Sequence, residues 1–402
     1  MDRLCGPLPS REAAYLAYLF SLKDKMYIGE ALNTWASKSH PEPRTLALAY
    51  EIAQGACRMS LALDHIALGL SEKKSLSLKL KEKALLRTTL YQLYYLRHSQ
   101  KHAIGDESVK LAKKYTSSFF AKFLNAIIRK SEGIKKEDLL PTGTDAQSLS
   151  IQNSFPLHFV QKILPLKNAV QILETLNKPP QVMARIIGTG DFTLINNKDE
   201  LIKATTSDTL YIQNQTSIKL MDHLFDENFQ PKSLLDLCAS PGGKLIRAHE
   251  LFPDARLFAN DVSEPKITRL QDNLRRFHIN ADSSIGKGET FSSNDRFDLI
   301  ILDVPCSNSG VFHKKAEARW RLSPESIKDL NQIQTALIKN ALTLLTPNGR
   351  IWYMTCSILP DENGVFLESI QDKLQFKTFH PLTLYPENDQ DGGFCALIKQ
   401  DV

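Results

Sequence analysis

From about residue 217 onward, short apolar runs alternate with longer stretches of helical spacing. No other feature confines the fold of this chain as tightly. The runs are Ser233–Leu237, Arg256–Asn260, Phe297–Leu302 and Arg350–Met354, with helical segments between them. Strands separated by helices join in parallel, so the pattern predicts a doubly wound α/β sheet. A last pair, Gln375–His380 and Gly393–Ile398, reads as an antiparallel hairpin closing that sheet. Ligands of such sheets gather at the carboxyl ends of the strands, so the residues just after each run are the ones to inspect.

The first 130 residues show no strand signal. Ser10 is a candidate cap for a helix over Arg11–Leu22; Leu46–Gly55, Leu80–Arg97 and Asp106–Lys130 continue the helical spacing. An all-α bundle is the expected arrangement. Residues 1–140 carry 23 Lys and Arg against 14 Asp and Glu, a net of +9, whereas residues 141–402 carry 27 against 31. A basic front half suits a polyanion, RNA above all, although a helical domain with solvated lysines has the same composition. The polar stretch Ser131–Ser150 reads as a linker. Asn153–Ile163 and Asn168–Asn177 look helical up to the stop at Pro179-Pro180, and Val182–Ile187, Asp191–Ile195 and Thr209–Gln213 read as short strands. The expected domains are residues 1–135 (all-α), 150–215 (a small α+β segment) and 216–402 (α/β). No run of about 18 apolar residues predicts a membrane span. The N-terminus lacks a signal-peptide pattern, and the six scattered cysteines form no CxxC pair. A reducing cytoplasm, no disulfide framework and no metal site are expected.

Leu234–Lys244 (LLDLCASPGGK) is a strand, a turn of small residues and the start of a helix. Gly242 and Gly243 let backbone approach a ligand, and the helix N-terminus behind them favours a negative group such as a carboxylate. The turn is neither GxGxxG nor a P-loop, which favours adenosyl-methionine over a nucleoside triphosphate. Asp261, at the end of the next run, can accept ribose hydroxyls.

Two runs end in cysteine: FDLIILDVPC at Cys306 and RIWYMTC at Cys356. A single buried cysteine is usually an apolar filler. Two of them at the ends of neighbouring strands, with Asp303 beside one, suit a demanding reaction, methylation of cytosine at carbon 5. Carbon 5 is a poor nucleophile until a thiolate adds to carbon 6. That addition needs a proton or hydrogen bond at N3, which a carboxyl group can supply. A base must afterwards take the carbon-5 proton so that the thiol can leave. A disulfide between the two cysteines is the alternative, one that a reducing compartment disfavours.

The motifs LDLCASPGGK, DLIILDVPCSNSGV, Arg319-Trp320-Arg321, YMTCSILPDEN and DGGFCALIK, in that order over residues 211–402, resemble the RNA 5-methylcytosine methyltransferases of the RsmB/NOP (Sun/Fmu) family, in particular the type acting on 16S ribosomal RNA. Ala103–Lys130 is similar to the C-terminal helices of NusB-like RNA-binding domains. The resemblance implies a Rossmann-like seven-stranded domain that uses S-adenosyl-L-methionine, behind an all-α NusB-like domain and a small α+β segment. It implies Cys356 as nucleophile, Cys306 as the thiol assisting release, and Asp303 beside both cofactor and base. It places Cys238, Ala239, Ser240, Pro241, Gly242, Gly243 and Lys244 around the methionine part of the cofactor, with Asp261 at the ribose. The implied partner is RNA, 16S rRNA first, for a monomeric cytoplasmic enzyme. Three departures stand out. The acidic residue usual near the adenine is missing from SSIGKGETF, so either Glu289 substitutes or the contact is lost. The arginine usual after the double proline is displaced, with Ala184 in its place and Arg185 next, and the tryptophan usual after the Ser-x-Pro turn is replaced near His158; these two touch the middle segment and its RNA surface.

After the Cys306 loop come His313, Lys314, Lys315, Arg319, Trp320 and Arg321, cations with an aromatic, as a splayed single-stranded RNA would require. A solvated helix start is the plainer reading of the same residues. A DNA cytosine methyltransferase would attack with the Pro-Cys cysteine and follow it with Glu-Asn-Val, which is absent. An amino-group methyltransferase would carry an aromatic after Asp-Pro-Pro. A non-catalytic RNA-binding factor would not need Asp303, Cys306 and Cys356 together.

Overall fold

The computed structural model describes residues 4, 6–96, 101–388 and 390–401, so Cys5 and Arg97 lie outside the described residues. The chain divides into two compact units, residues 1–173 and 174–402. The first is helical throughout: α1 (Ser10–Asp24), α2 (Ile28–Ser39), α3 (Pro43–Arg58), α4 (Ser60–Ser71), α5 (Leu80–Tyr94), α6 (Lys101–Tyr115), α7 (Ser118–Lys130), α8 (Ala146–Asn153) and α9 (Leu157–Ile163). A further helix, α10 (Ala169–Thr175), spans the division.

Several boundaries differ from those expected, each for a local reason. Ser10 is helical and makes no cap; Pro9 precedes the helix. The segment from 106 to 130 is two helices, because Ser117 turns extended and accepts the Phe120 N–H as the N-cap of α7. The stretch 131–150 is not bare linker, since Asp145 caps α8 through the N–H groups of Gln147 and Ser148. Ser154, beyond α8, takes the Leu61 N–H at 2.9 Å and so caps α4 from a distance. Buried Tyr15, Tyr18 and Trp35 show where the bundle core lies.

The second unit starts with a small antiparallel sheet of β1 (Met183–Ile186), β2 (Phe192–Leu194) and, after α11 (Lys198–Thr206), β3 (Leu210–Ile212). Then come α12 (Gln215–Leu224), β4 (Ser233–Asp236), α13 (Gly243–Leu251), β5 (Arg256–Asp261), α14 (Glu264–Arg276), β6 (Asp282–Ile285), β7 (Phe297–Asp303), α15 (Pro324–Leu344), β8 (Leu345–Thr355), α16 (Gly364–Leu374), β9 (Phe376–Leu384) and β10 (Gly393–Gln400). The seven-stranded sheet runs β6-β5-β4-β7-β8-β10-β9. Its first five strands are parallel, and β10 pairs antiparallel with both β8 and β9. This is the Rossmann-like arrangement the alternating runs predict.

Strict alternation along each central strand covers both faces. Leu234, Leu299, Ile301, Trp352 and Met354 pack with residues of α12, α13 and α14 on one side. Leu235, Ile300, Leu302, Ile351 and Tyr353 pack with α15 and α16 on the other. Strand β6 (DSSI) carries no apolar run to announce it, because it is an edge strand paired only with β5. The strand order reverses between β4 and β7, which puts the crevice where such sheets bind ligands at the carboxyl ends of these two strands. No helix among the described residues is long and apolar enough to cross a membrane.

Candidate active site

The turn after β4 is held by the end of β5. Ala239 N–H donates to the Asn260 carbonyl at 2.9 Å, and Asn260 Nδ2 reaches the carbonyls of Leu237 and Gly286. The Ser240–Pro241 bond is cis. Gly242 has φ +107°, a conformation L side chains rarely adopt. A Cβ on Gly243 would stand 2.8 Å from the Tyr211 ring and 2.9 Å from Gln213 Nε2. Backbone shape at Gly242 and protein packing at Gly243 therefore each demand glycine.

Asp261 is almost fully buried. Its Oδ2 accepts the Ser240 N–H at 3.0 Å; its Oδ1 accepts the Val262 N–H at 2.6 Å and Lys266 Nζ at 3.0 Å. A carboxylate has about four lone-pair sites. Three are taken, leaving room for one ribose hydroxyl, and for a second only if the half-exposed Lys266 moves aside. Glu289 lies in a turn after β6, half-buried, close enough for its charge to act on Cys238.

Beneath the turn sits a charge cluster. Lys244 Nζ donates to Asp303 Oδ2 at 2.5 Å, so the two residues expected separately at the cofactor are partners. Asp236 is buried and accepts the Cys238 N–H at 3.2 Å. Burial, then the charge of Asp303, raise its carboxyl to about 7 against the pull of Lys244. Burial likewise raises the Cys238 thiol, reinforced by Asp236 and Asp303, so this cysteine stays protonated. Burial opposes the charge of Lys244, but Asp303, Asp236 and Cys356 outweigh it and its ammonium is retained.

The two strand-end thiols meet. Parallel pairing of β7 with β8 sets Asp303 opposite Met354, and the loops beyond bring Cys306 Sγ and Cys356 Sγ to 3.1 Å. That exceeds the roughly 2.05 Å of a disulfide, and both thiols are free and partly exposed. Cys356 beside it, and then burial, push the Cys306 thiol well above its ordinary value. Asn308, which no motif in the sequence marks, has a left-handed backbone (φ 60°). Its Oδ1 lies 3.3 Å from Cys356 Sγ and accepts Lys315 Nζ at 2.9 Å.

The closing DGGF segment secures the Cys306 loop. Gly392 N–H donates to the Gly310 carbonyl at 2.8 Å, Asp391 Oδ2 accepts Lys314 Nζ at 2.6 Å, and His313 Nε2 lies 2.8 Å from Asp391 Oδ1. His313 and Arg319 are thereby removed from the set of expected RNA contacts. His313 is buried against Asp391; Arg319 is 0 % exposed and donates to Asn177 Oδ1 and the carbonyls of Leu176 and Phe312. Trp320 remains exposed, and so does Lys315, five residues before it. Arg185, the displaced arginine, does not reach the surface. It is buried on β1, bonded to Gln213 and Glu250. No cluster of three or more metal-ligating side chains occurs among the described residues.

Comparison with known proteins adds the following. Residues 225–398 match the family model described as 16S rRNA methyltransferase RsmB/F, and residues 9–132 match the NusB family. The chain is 28 % identical over 355 residues to ribosomal RNA small subunit methyltransferase B of Klebsiella pneumoniae (strain 342), covering 79 % of this chain and 81 % of that one. It is 26 % identical over 419 residues to the protein of the same name from Pasteurella multocida (strain Pm70), covering 93 % of each. Among solved structures, that of PH0851 superposes with a TM-score of 0.76 at 18 % identity, covering 98 % of this chain and 99 % of that one. A methyltransferase homolog protein from Pyrococcus horikoshii superposes with a TM-score of 0.53 at 20 % identity, covering 64 % and 99 %.

Proposed function

This chain belongs to the RsmB/F family of 16S rRNA methyltransferases, with a NusB family domain in front, and from that premise we propose that it methylates carbon 5 of a cytosine in 16S rRNA through a covalent adduct of Cys356. It is an S-adenosyl-L-methionine-dependent rRNA methyltransferase; the target atom, the adduct and the residue roles are our reading. The observation that supports them most is the 3.1 Å approach of two sulfurs at the ends of β7 and β8, next to the Lys244–Asp303 pair.

Bound adenosyl-methionine supplies an electrophilic methyl group. Cys356, as thiolate, adds to carbon 6 and makes carbon 5 nucleophilic. Asp303 is partly exposed at the end of β7, its other oxygen free of Lys244, and so is suited to hold a proton at N3 of the base. The role of Cys306 follows from why its proton is held so firmly. The foremost cause is Cys356 itself. Once the Cys356 sulfur is bonded to carbon 6 that cause is gone, and partly exposed Cys306 gives its own proton to solvent before a base is needed at carbon 5. It then takes the carbon-5 proton, and the Cys356 sulfur leaves. Residues 238–244 and Asp261 would hold the cofactor, and Glu289 is the acidic side chain available to its adenine. Exposed Trp320, with Lys315, offers a stacking and charge contact for the flanking strand. A loop cytosine is the easier target, since a paired one has to be flipped out. Residues 1–135 and 150–215 serve as RNA-contacting domains of a monomer acting in the cytoplasm.

The test is bisulfite sequencing of 16S rRNA from cells with and without the gene, joined to two variants. Cys356→Ala is expected to abolish methyl transfer with cofactor binding retained. Cys306→Ala is expected to accumulate a protein–RNA adduct that survives a denaturing gel. Full turnover by Cys356→Ala, or an unchanged bisulfite pattern, would overturn the reading.

A further inference from the structure

One carboxylate joins the two thiol loops. Glu362 is 0 % exposed. Its Oε1 accepts the backbone N–H of Ser307, the residue after Cys306, at 2.7 Å. Its Oε2 accepts the hydroxyl of Ser357, the residue after Cys356, also at 2.7 Å. The same hydroxyl oxygen accepts the Leu359 N–H at 3.1 Å and lies 2.8 Å from Ser309 Oγ, so the bridge extends further along the Cys306 loop. Behind it, Tyr353 OH donates to the Glu362 carbonyl at 2.8 Å, and Gln334 Nε2 donates to the Pro305 carbonyl at 2.9 Å.

No lysine, arginine or histidine pairs with Glu362 among the described residues. Burying a carboxylate without a counter-ion is costly, and burial raises the Glu362 carboxyl against the bonds from Ser307 and Ser357. An amide would offer one acceptor oxygen to two loop donors, whereas the carboxyl group offers two, and its two 2.7 Å bonds define a geometry. The sites they define lie one residue from each sulfur. We propose that Glu362 is a positioning residue that holds the Cys306 and Cys356 sulfurs at contact distance. The catalytic consequence, nucleophile and base facing one pyrimidine, rests on the two-thiol reading above; the positioning itself does not.

The experiment separates the two. Phenylarsine oxide binds a pair of adjacent thiols: arsenic forms two As–S bonds, both thiols lose their protons, and the oxide leaves as water. Capture by the full-length protein is followed by mass spectrometry, with Cys306→Ser as the blank for the other cysteines. The wild type is expected to be captured stoichiometrically, and Glu362→Gln roughly tenfold more slowly or less completely. Methyl transfer by Glu362→Gln is expected to fall about 100-fold in kcat, the scale set by an ångström of misplacement, with cofactor affinity and KM for RNA within about twofold. A purely structural Glu362 would lower thermal stability and leave capture and kcat per folded molecule intact; that result overturns the proposal. Should Glu362→Gln not fold, Ser357→Ala removes one of the carboxylate's two anchors, and wild-type capture and kcat in that variant overturn it equally. Lost capture with undiminished methyl transfer would support the positioning role and count against the two-thiol chemistry.

Discussion

Asp236 carries the clearest consequence at the scale of a residue. Its carboxyl is near 3.9 in an unfolded chain and about 7 in the fold. Between those values the folded protein keeps a proton that the unfolded chain has lost. Stability therefore falls as pH rises from about 4 to 7, by up to about 1.4 kcal/mol per unit. Asp236→Asn keeps an oxygen for the Cys238 N–H and removes the titration. The variant is expected to match the wild type in stability near pH 4 and to exceed it by a few kcal/mol at pH 8. Urea denaturation at the two pH values measures this, and a gap that does not widen with pH removes the assignment. The same burial that raises Asp236 also raises the Cys238 thiol.

Among elements, the antiparallel hairpin of β9 and β10 does more than complete the sheet. Its lead-in, Asp391-Gly392-Gly393, presses on the loop that carries Cys306. A Cβ on Gly310 would fall 2.4 Å from the Gly392 carbonyl oxygen, a backbone atom with no rotamer by which to retreat. Gly310→Ala is expected to cost about 1–3 kcal/mol by overpacking and to slow methyl transfer while cofactor affinity stays as in the wild type, since the β4–α13 turn is untouched. Denaturation and isothermal titration with the cofactor check both halves. Wild-type stability would mean that the two loops part without cost. Elements also explain which boundaries the sequence could not supply. The α6–α7 break depends on Ser117 turning its hydroxyl to the Phe120 amide, a choice invisible in a continuous apolar pattern. Strand β6 has too few apolar residues for any periodicity to mark it.

Across the whole molecule, charge is the property to probe. The excess of cations in residues 1–140 contrasts with the acidic remainder. RNA binding to a cationic surface releases counterions, so affinity falls steeply with salt. Lys110 and Lys113 are exposed on α6. Changing both to Glu is expected to weaken 16S rRNA binding across sequences and to lower the salt slope by about two, with the single-turnover rate at saturating RNA unchanged. Filter binding at several salt concentrations reads the slope. An unaltered slope would place the RNA contacts elsewhere.

The sequence by itself determined the sheet, the order of its motifs and the strand ends on which the reactive groups stand. Those features are written in contiguous residues: a nearly continuous apolar run along Phe297–Leu302, a small-residue turn at Leu237–Gly243, and cysteines closely after two apolar runs. Only the tertiary structure decided how the groups face one another. Lys244 meets Asp303 from 59 residues away, Glu362 reaches the Ser307 amide from 55 away, and Arg319 withdraws into the interior to bond Asn177. Such pairings are set by strand register and by how backbone polar groups are satisfied across loops. No local pattern encodes either, so the thiols' 3.1 Å separation and the carboxylate that ties their loops together emerge only in the folded chain.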